Sequence, residues 1–246
     1  MTMRLAKSLL LAAGLIPMLA TASHWSYEGH SSPEHWGELS NEFKECQVGK
    51  NQSPVDISHA LEAHITPLKM SYSQGPDALV NNGHTLQASM DQKAKNVIAF
   101  DDITADLQQF HFHAPSENTI NGKHAAMEMH LVHKANNGDI VVVAVMFDVG
   151  AENPTLAQLW KKIPQETDKP VALDNNIDIN GLLPADKTYW RFSGSLTTPP
   201  CSEGVTWLVM KHPLTLSAAQ LQKFKALMHH DNNRPVQPLH GRVVVE

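Results

Sequence analysis

From residue 65 to 149 the chain alternates apolar and polar positions in short runs separated by turn residues. This is the signature of strands with one buried face. Strands are predicted at 68–72, 78–81, 85–90, 97–100, 105–113 and 125–134, with reversals at Asn82-Gly83 and Asn136-Asn137-Gly138-Asp139. Residues 140–149 form a nearly continuous apolar, β-branched run, which suits a strand covered on both faces. Further on, Thr155, Leu156, Leu159, Trp160 and Ile163 have helical spacing, and 189–192 and 205–211 read as strands. Ser217 is a candidate N-cap for a helix running to about Met228, with Leu221, Phe224 and Met228 on one face. Residues 241–245 are a last strand candidate. Residues 24–36 lack a period and read as an irregular surface segment anchored by Trp25, Tyr27 and Trp36. No internal repeat or composition break appears. The expected fold is mainly β with short helices (α+β), one domain around a large twisted sheet.

The first residues read differently. Arg4 and Lys7 make a basic start, 9–20 is an apolar run too short for a comfortable membrane span, and Ala20-Thr21-Ala22 is a small-x-small cleavage pattern. Residues 1–22 are therefore expected to be a signal peptide and 23–246 the folded domain. The expected location is the periplasm or the exterior, with no membrane span in the mature chain. Export makes Cys46 and Cys201, the only two cysteines, a candidate disulfide. The net charge of -6 argues against nucleic acid, because no basic stripe is available to neutralise phosphates. Fifteen histidines raise the weight of metal chemistry.

Two of those histidines lie on one strand face. In 108–113, His111 and His113 point the same way with Gln109 beside them, while Phe110 and Phe112 point to the other side. In the next strand Glu128, His130 and Val132 share a face. Antiparallel pairing would bring His130 to the first two histidines. Three neutral imidazoles and a water complete a tetrahedral zinc site with an open position. Gln109 and Glu128 could hold the other ring nitrogens. His133 points away and reads as structural. In the rigid run 194–200, a threonine hydroxyl could orient a reacting oxygen while donating to a carboxylate, for which Glu117 is the candidate.

These stretches, with Gln52-Ser53-Pro54-Val55-Asp56-Ile57, Asn81-Asn82-Gly83-His84, Ser195-Leu196-Thr197-Thr198-Pro199-Pro200-Cys201 and Arg234-Pro235-Val236-Gln237-Pro238-Leu239, resemble an α-class carbonic anhydrase of the exported bacterial type. The resemblance runs from about Trp25 to the C-terminus, in family order. It implies a mostly antiparallel sheet with a conical cavity and one zinc ion held by His111, His113 and His130. It makes Thr197 the gatekeeping hydroxyl and Glu117 its partner, with Gln109, Glu128 and the carbonyl of Asn232 supporting the ligands. His84 is implied as proton shuttle, with Tyr27, Asn82 and Gln87 ordering water. Val132, Val143, Leu196, Thr198 and Trp207 are implied around the substrate. Cis peptides are implied before Pro54 and Pro200.

The implied reaction is reversible hydration of carbon dioxide to bicarbonate and a proton, through attack of a zinc-held hydroxide. Anions and sulfonamides would inhibit it, and the protein would be a monomer or homodimer. The alternative is a non-catalytic zinc-binding or zinc-buffering exported protein on the same scaffold. Ala114, Lys134 and Asn118 stand where many animal members carry Trp, Trp and His.

Overall fold

The computed structural model of the chain describes residues 24–246. The expected signal peptide, residues 1–22, lies outside them. Among the described residues no helix is long and apolar enough to cross a membrane. Thirteen strands form one sheet, antiparallel in most pairings, and three short strands form a second. At the centre of the large sheet lie Ile103–His113, Met127–Ala135 and Ile140–Val149, joined antiparallel in that order. The strand Glu203–Met210 then pairs parallel with Ile140–Val149, and Tyr189–Ser195 pairs antiparallel with Glu203–Met210.

The apolar run 140–149 is continuous because its two faces feed two different cores. Val141, Val143, Val145 and Phe147 enter the larger cluster, with Phe110, Phe112, Leu131 and Phe224. Val142, Ala144 and Met146 enter a second cluster with Trp207, Phe192 and Val209. Each fully buried large side chain contributes roughly 1.5–3 kcal/mol of transfer free energy, so both faces stabilise the strand.

The helix Ala218–Met228 begins at Ser217 with a capping box, in which Ser217 Oγ accepts from the Gln220 N–H and Gln220 Oε1 from the Ser217 N–H. Phe224 and Met228 are buried; Leu221 lies at the margin of the core. The irregular segment after residue 24 packs as expected. Trp36 is fully buried, and with Tyr27 it covers the Cys46–Cys201 disulfide in a third cluster. The peptides before Pro54 and Pro200 are cis, and so is the one before Pro115.

Candidate active site and metal centre

Register places the ligand candidates. His130 sits opposite His111, and Glu128 opposite His113, across the antiparallel pair. One nitrogen from each of His111, His113 and His130 lies within 4.8 Å of the others. Among the described residues no other group of three or more His, Cys, Asp or Glu side chains is close enough to hold a metal. Phe110 and Phe112 are fully buried behind the strand, ring centroids 5.9 Å apart and edge to face. They anchor the strand that carries the first two imidazoles.

Two of the imidazoles are hydrogen-bonded at their outer nitrogens, and the third touches a carboxylate there. His111 Nδ1 lies 2.8 Å from Gln109 Oε1, and His113 Nδ1 lies 2.7 Å from the Asn232 carbonyl. His130 Nε2 lies 3.0 Å from Glu128 Oε1, in contact but not aligned for a standard hydrogen bond. Glu128 is fully buried and also accepts from the Glu117 N–H at 2.7 Å, the Asn118 N–H at 2.8 Å and Asn118 Nδ2 at 2.7 Å. The inner nitrogen of His113, Nε2, is buried and has no hydrogen-bond partner among the described residues. Burial is the main cause that pushes all three histidines below the ordinary imidazole range. For His111 the neighbouring His113 and His130 add to it, and for His130 the neighbouring His113 does. Three neutral nitrogen donors with supported outer faces suit zinc.

Glu117 is fully buried. Its Oε1 accepts from the Arg234 N–H at 2.8 Å. Its Oε2 lies 3.6 Å from His113 Nε2 and 3.8 Å from His130 Nδ1. Burial raises its pKa to about 8; Arg234 and Thr197 pull it down, and Glu128 pushes it further up. Thr197 is close enough to act on this carboxyl, yet Oε2 has no hydrogen-bond partner of normal geometry among the described residues. The loop carrying Thr197 is fastened at Ser195, whose N–H donates to Ser53 Oγ at 3.1 Å and whose Oγ accepts from the Ser53 N–H at 2.9 Å. Gly194 is required beside it, because a Cβ there would lie 2.1 Å from Ser53 Oγ and 3.0 Å from Trp207 Cδ1.

A cavity of about 130 Å³ opens onto His111 and His113 and is lined by Trp25, Tyr27, Asn82, His84, Gln87, Gln109 and Thr198 among others. All four residues expected in the proton path, His84, Tyr27, Asn82 and Gln87, therefore share one space with two ligand candidates. Of the expected apolar wall, Val132, Leu196 and Trp207 come together on the site side of the sheet. The Trp207 ring stands 4.8 Å from that of His130, edge to face. Val143 does not join them. It is buried in the larger core on the opposite face, and Val142, paired with Val132 on one side and Trp207 on the other, takes its place.

The residues 31–246 match the family model for eukaryotic-type carbonic anhydrase. The chain is a member of that family. A carbonic anhydrase of Klebsiella pneumoniae is 59% identical over 98% of each chain. One from Pectobacterium atrosepticum is 48% identical over 97% of each. The structure of the α-carbonic anhydrase from Thermovibrio ammonificans with the inhibitor sulfanilamide superimposes with a TM-score of 0.88 at 48% identity, covering 92% of this chain and all of that one. The carbonic anhydrase fold and the three-histidine cluster thus occur together in this enzyme, and the cluster is compatible with zinc.

Two residues of the site had no role in the sequence reading. Asn118 is fully buried and bridges Glu128 to the Val55 N–H, which its Oδ1 accepts at 3.0 Å. Arg234 is buried beneath Glu117. An Asn or Arg next to proline and turn residues carries no local signal of such a role, because the partners are distant in sequence.

Proposed function

We propose that the chain catalyses the reversible hydration of carbon dioxide to bicarbonate and a proton, with His111, His113 and His130 holding one zinc ion. The observation that carries this reading is the convergence of three imidazoles, two of them buried and His111 half-buried. They converge within 4.8 Å, with the outer nitrogens of His111 and His113 hydrogen-bonded and the His113 inner nitrogen unpartnered among the described residues. When bound, zinc supplies a Lewis acid that lowers the pKa of a coordinated water to about 7, a value known for carbonic anhydrase itself.

The chain's own groups do the rest. With its carboxyl ionised, the form that the charge of a bound zinc ion would favour, Glu117 accepts a hydrogen bond from the Thr197 hydroxyl, whose lone pairs stay free to accept from the reacting water. That one-way arrangement aims the water's nucleophilic lone pair at the substrate. Val132, Val142, Leu196 and Trp207 offer carbon dioxide an apolar surface, which has no strong hydrogen bond to trade for water. Thr198 lines the cavity, and in this reading it contacts the bound product. The released proton leaves through the cavity to His84, along water ordered by Tyr27, Asn82 and Gln87. His84 suits this because burial holds its pKa below the ordinary value, so the ring is neutral and able to accept at neutral pH. Residues 1–22 act as the export signal, which gives the Cys46–Cys201 bond an oxidising compartment.

Carbon dioxide hydration by the purified protein, with and without a zinc chelator, tests the reading. Activity should vanish with the metal and return on adding zinc; equal rates in both would sink it. His130→Ala should lose zinc and activity together. Zinc retained at one equivalent would show that the third ligand lies elsewhere.

A further inference from the structure

Arg234 is only 1% exposed, although it carries a guanidinium. Nη1 donates to Gln52 Oε1 and to the Ser53 carbonyl, each at 2.8 Å, and Nη2 donates to the Cys46 carbonyl at 2.9 Å. The guanidinium also faces the buried Trp36 ring, 5.7 Å from its centroid. Its main-chain N–H meanwhile holds Glu117 Oε1 at 2.8 Å. One residue therefore grips the 46–53 segment with its side chain and the Glu117 carboxyl with its backbone.

The 46–53 segment reaches the Thr197 loop by separate bonds. Ser53 and Ser195 exchange hydrogen bonds, Gln52 Nε2 donates to the Cys201 carbonyl at 3.0 Å, and Cys46 is bonded to Cys201. The Cys201 N–H in turn donates to the Thr198 carbonyl at 2.9 Å. Glu117, Arg234, Gln52–Ser53 and the 195–201 loop thus form a closed mechanical ring around the Thr197–Glu117 contact.

A buried charge is weak grounds for stability, because apolar side chains of similar volume often replace such groups with little loss. What a guanidinium adds is direction: its planar fork of donors fixes several acceptors in one geometry. We propose that Arg234 is a positioning residue, whose guanidinium sets the separation of Glu117 from Thr197 and so the orientation of the threonine hydroxyl. The proposal rests on the roles given to Thr197 and Glu117 in the preceding section.

The test is a double-mutant cycle on the zinc-loaded protein: wild type, Arg234→Met, Thr197→Ala and the double variant. Arg234→Met should lower kcat about 10-fold at unchanged zinc content, as expected for a displaced orienting group. In the Thr197→Ala background it should cost less than about 2-fold, because the hydroxyl it positions is gone. Equal losses in both backgrounds would overturn the proposal. A second readout needs neither metal nor activity. Hydrogen exchange of the residue-234 amide should speed up at least about 10-fold more in Arg234→Met than that of the central 140–149 amides. A uniform acceleration would mean general destabilisation and would also overturn it. If Arg234→Met does not fold, Arg234→Lys, which cannot reach all three acceptors, is scored by the same two criteria. A wild-type protein without hydration activity would refute the proposed function, and the exchange comparison would then decide on Arg234 alone.

Discussion

The imidazole of His84 lies flat on the indole of Trp25, with centroids 3.7 Å apart and planes 11° apart. The contact holds the ring half-buried at the wall of the cavity. Burial lowers its pKa, His24 and His230 lower it further, and Asp168 opposes them. His84→Ala should slow turnover in dilute buffer by about 10-fold or more and respond to added imidazole buffer, which replaces the lost proton acceptor. A wild-type rate in dilute buffer would mean that the proton leaves by another path. Trp25→Ala should raise the His84 pKa, followed by NMR titration, because uncovering the ring eases its protonation. Protonation removes the acceptor, so the His84-dependent part of turnover should fall as pH drops through a midpoint below the ordinary value of 6.5.

Val142 and Val143 are adjacent and both buried, yet they serve different faces. Val142→Phe would push a ring into the site-side wall beside Val132 and Trp207. We expect kcat/KM to fall at least about 10-fold with zinc retained, since a filled wall displaces a small apolar substrate. Val143→Ala should leave kcat/KM nearly unchanged and cost about 2 kcal/mol in urea unfolding, the scale of a small core cavity. The opposite pattern would place the substrate surface on the other face of the sheet.

That pair also shows what a sequence can and cannot reveal. The alternating stretches around His111 and His130 carry a phase, so the shared faces of the three histidines were legible from spacing. The helix after Ser217 was legible from its cap. The strand Ile140–Val149 carries no phase, since apolar residues fill both faces, so spacing alone does not say that Val143 faces the larger core and Val142 the site side. The strands Ala60–Leu61, Val171–Ala172 and Leu214–Leu216 are too short for any period to appear, and pairing with neighbours alone defines them. The support given by Asn118 and Arg234 is long-range: Arg234 bonds to Cys46, 188 positions away, and no local pattern encodes that.

His133 bears out its structural reading, and it makes stability depend on pH. It is fully buried, with Nε2 at 2.7 Å from the Tyr72 hydroxyl and Nδ1 at 3.3 Å from the Val141 carbonyl. Burial pushes its pKa down to about 3, against an ordinary 6.5. Between those values the unfolded chain binds a proton that the folded chain does not. The contribution is thus fully present above pH 6.5 and is lost as pH falls toward 3. At about 1.4 kcal/mol per pH unit, the loss from this group reaches roughly 3 kcal/mol by about pH 4.5. His133→Gln should be less stable at pH 7 but should show a shallower acid limb by about that amount in urea unfolding at the two pH values. Parallel limbs in the two proteins would show that His133 is not the group responsible.

The Cys46–Cys201 bond joins residues 155 positions apart, with Cα atoms 5.0 Å from each other. Closing so long a loop removes much of the unfolded chain's freedom, about 5 kcal/mol in the chain-entropy model. Reduction should therefore lower the thermal midpoint by about 10–20 °C for a domain of this size. An unchanged midpoint, with thiol titration confirming reduction, would refute this. Activity should respond far less than stability. Cys201 sits at the end of the loop that carries Thr197, but that loop is fastened independently at Ser195, through both bonds to Ser53 and through Trp207 Nε1, which donates to the Ser195 carbonyl at 3.0 Å. Below its new midpoint the reduced protein should accordingly keep most of its kcat. A collapse of kcat in reduced but folded protein would show that the bond, rather than the Ser53–Ser195 pair, sets the position of Thr197.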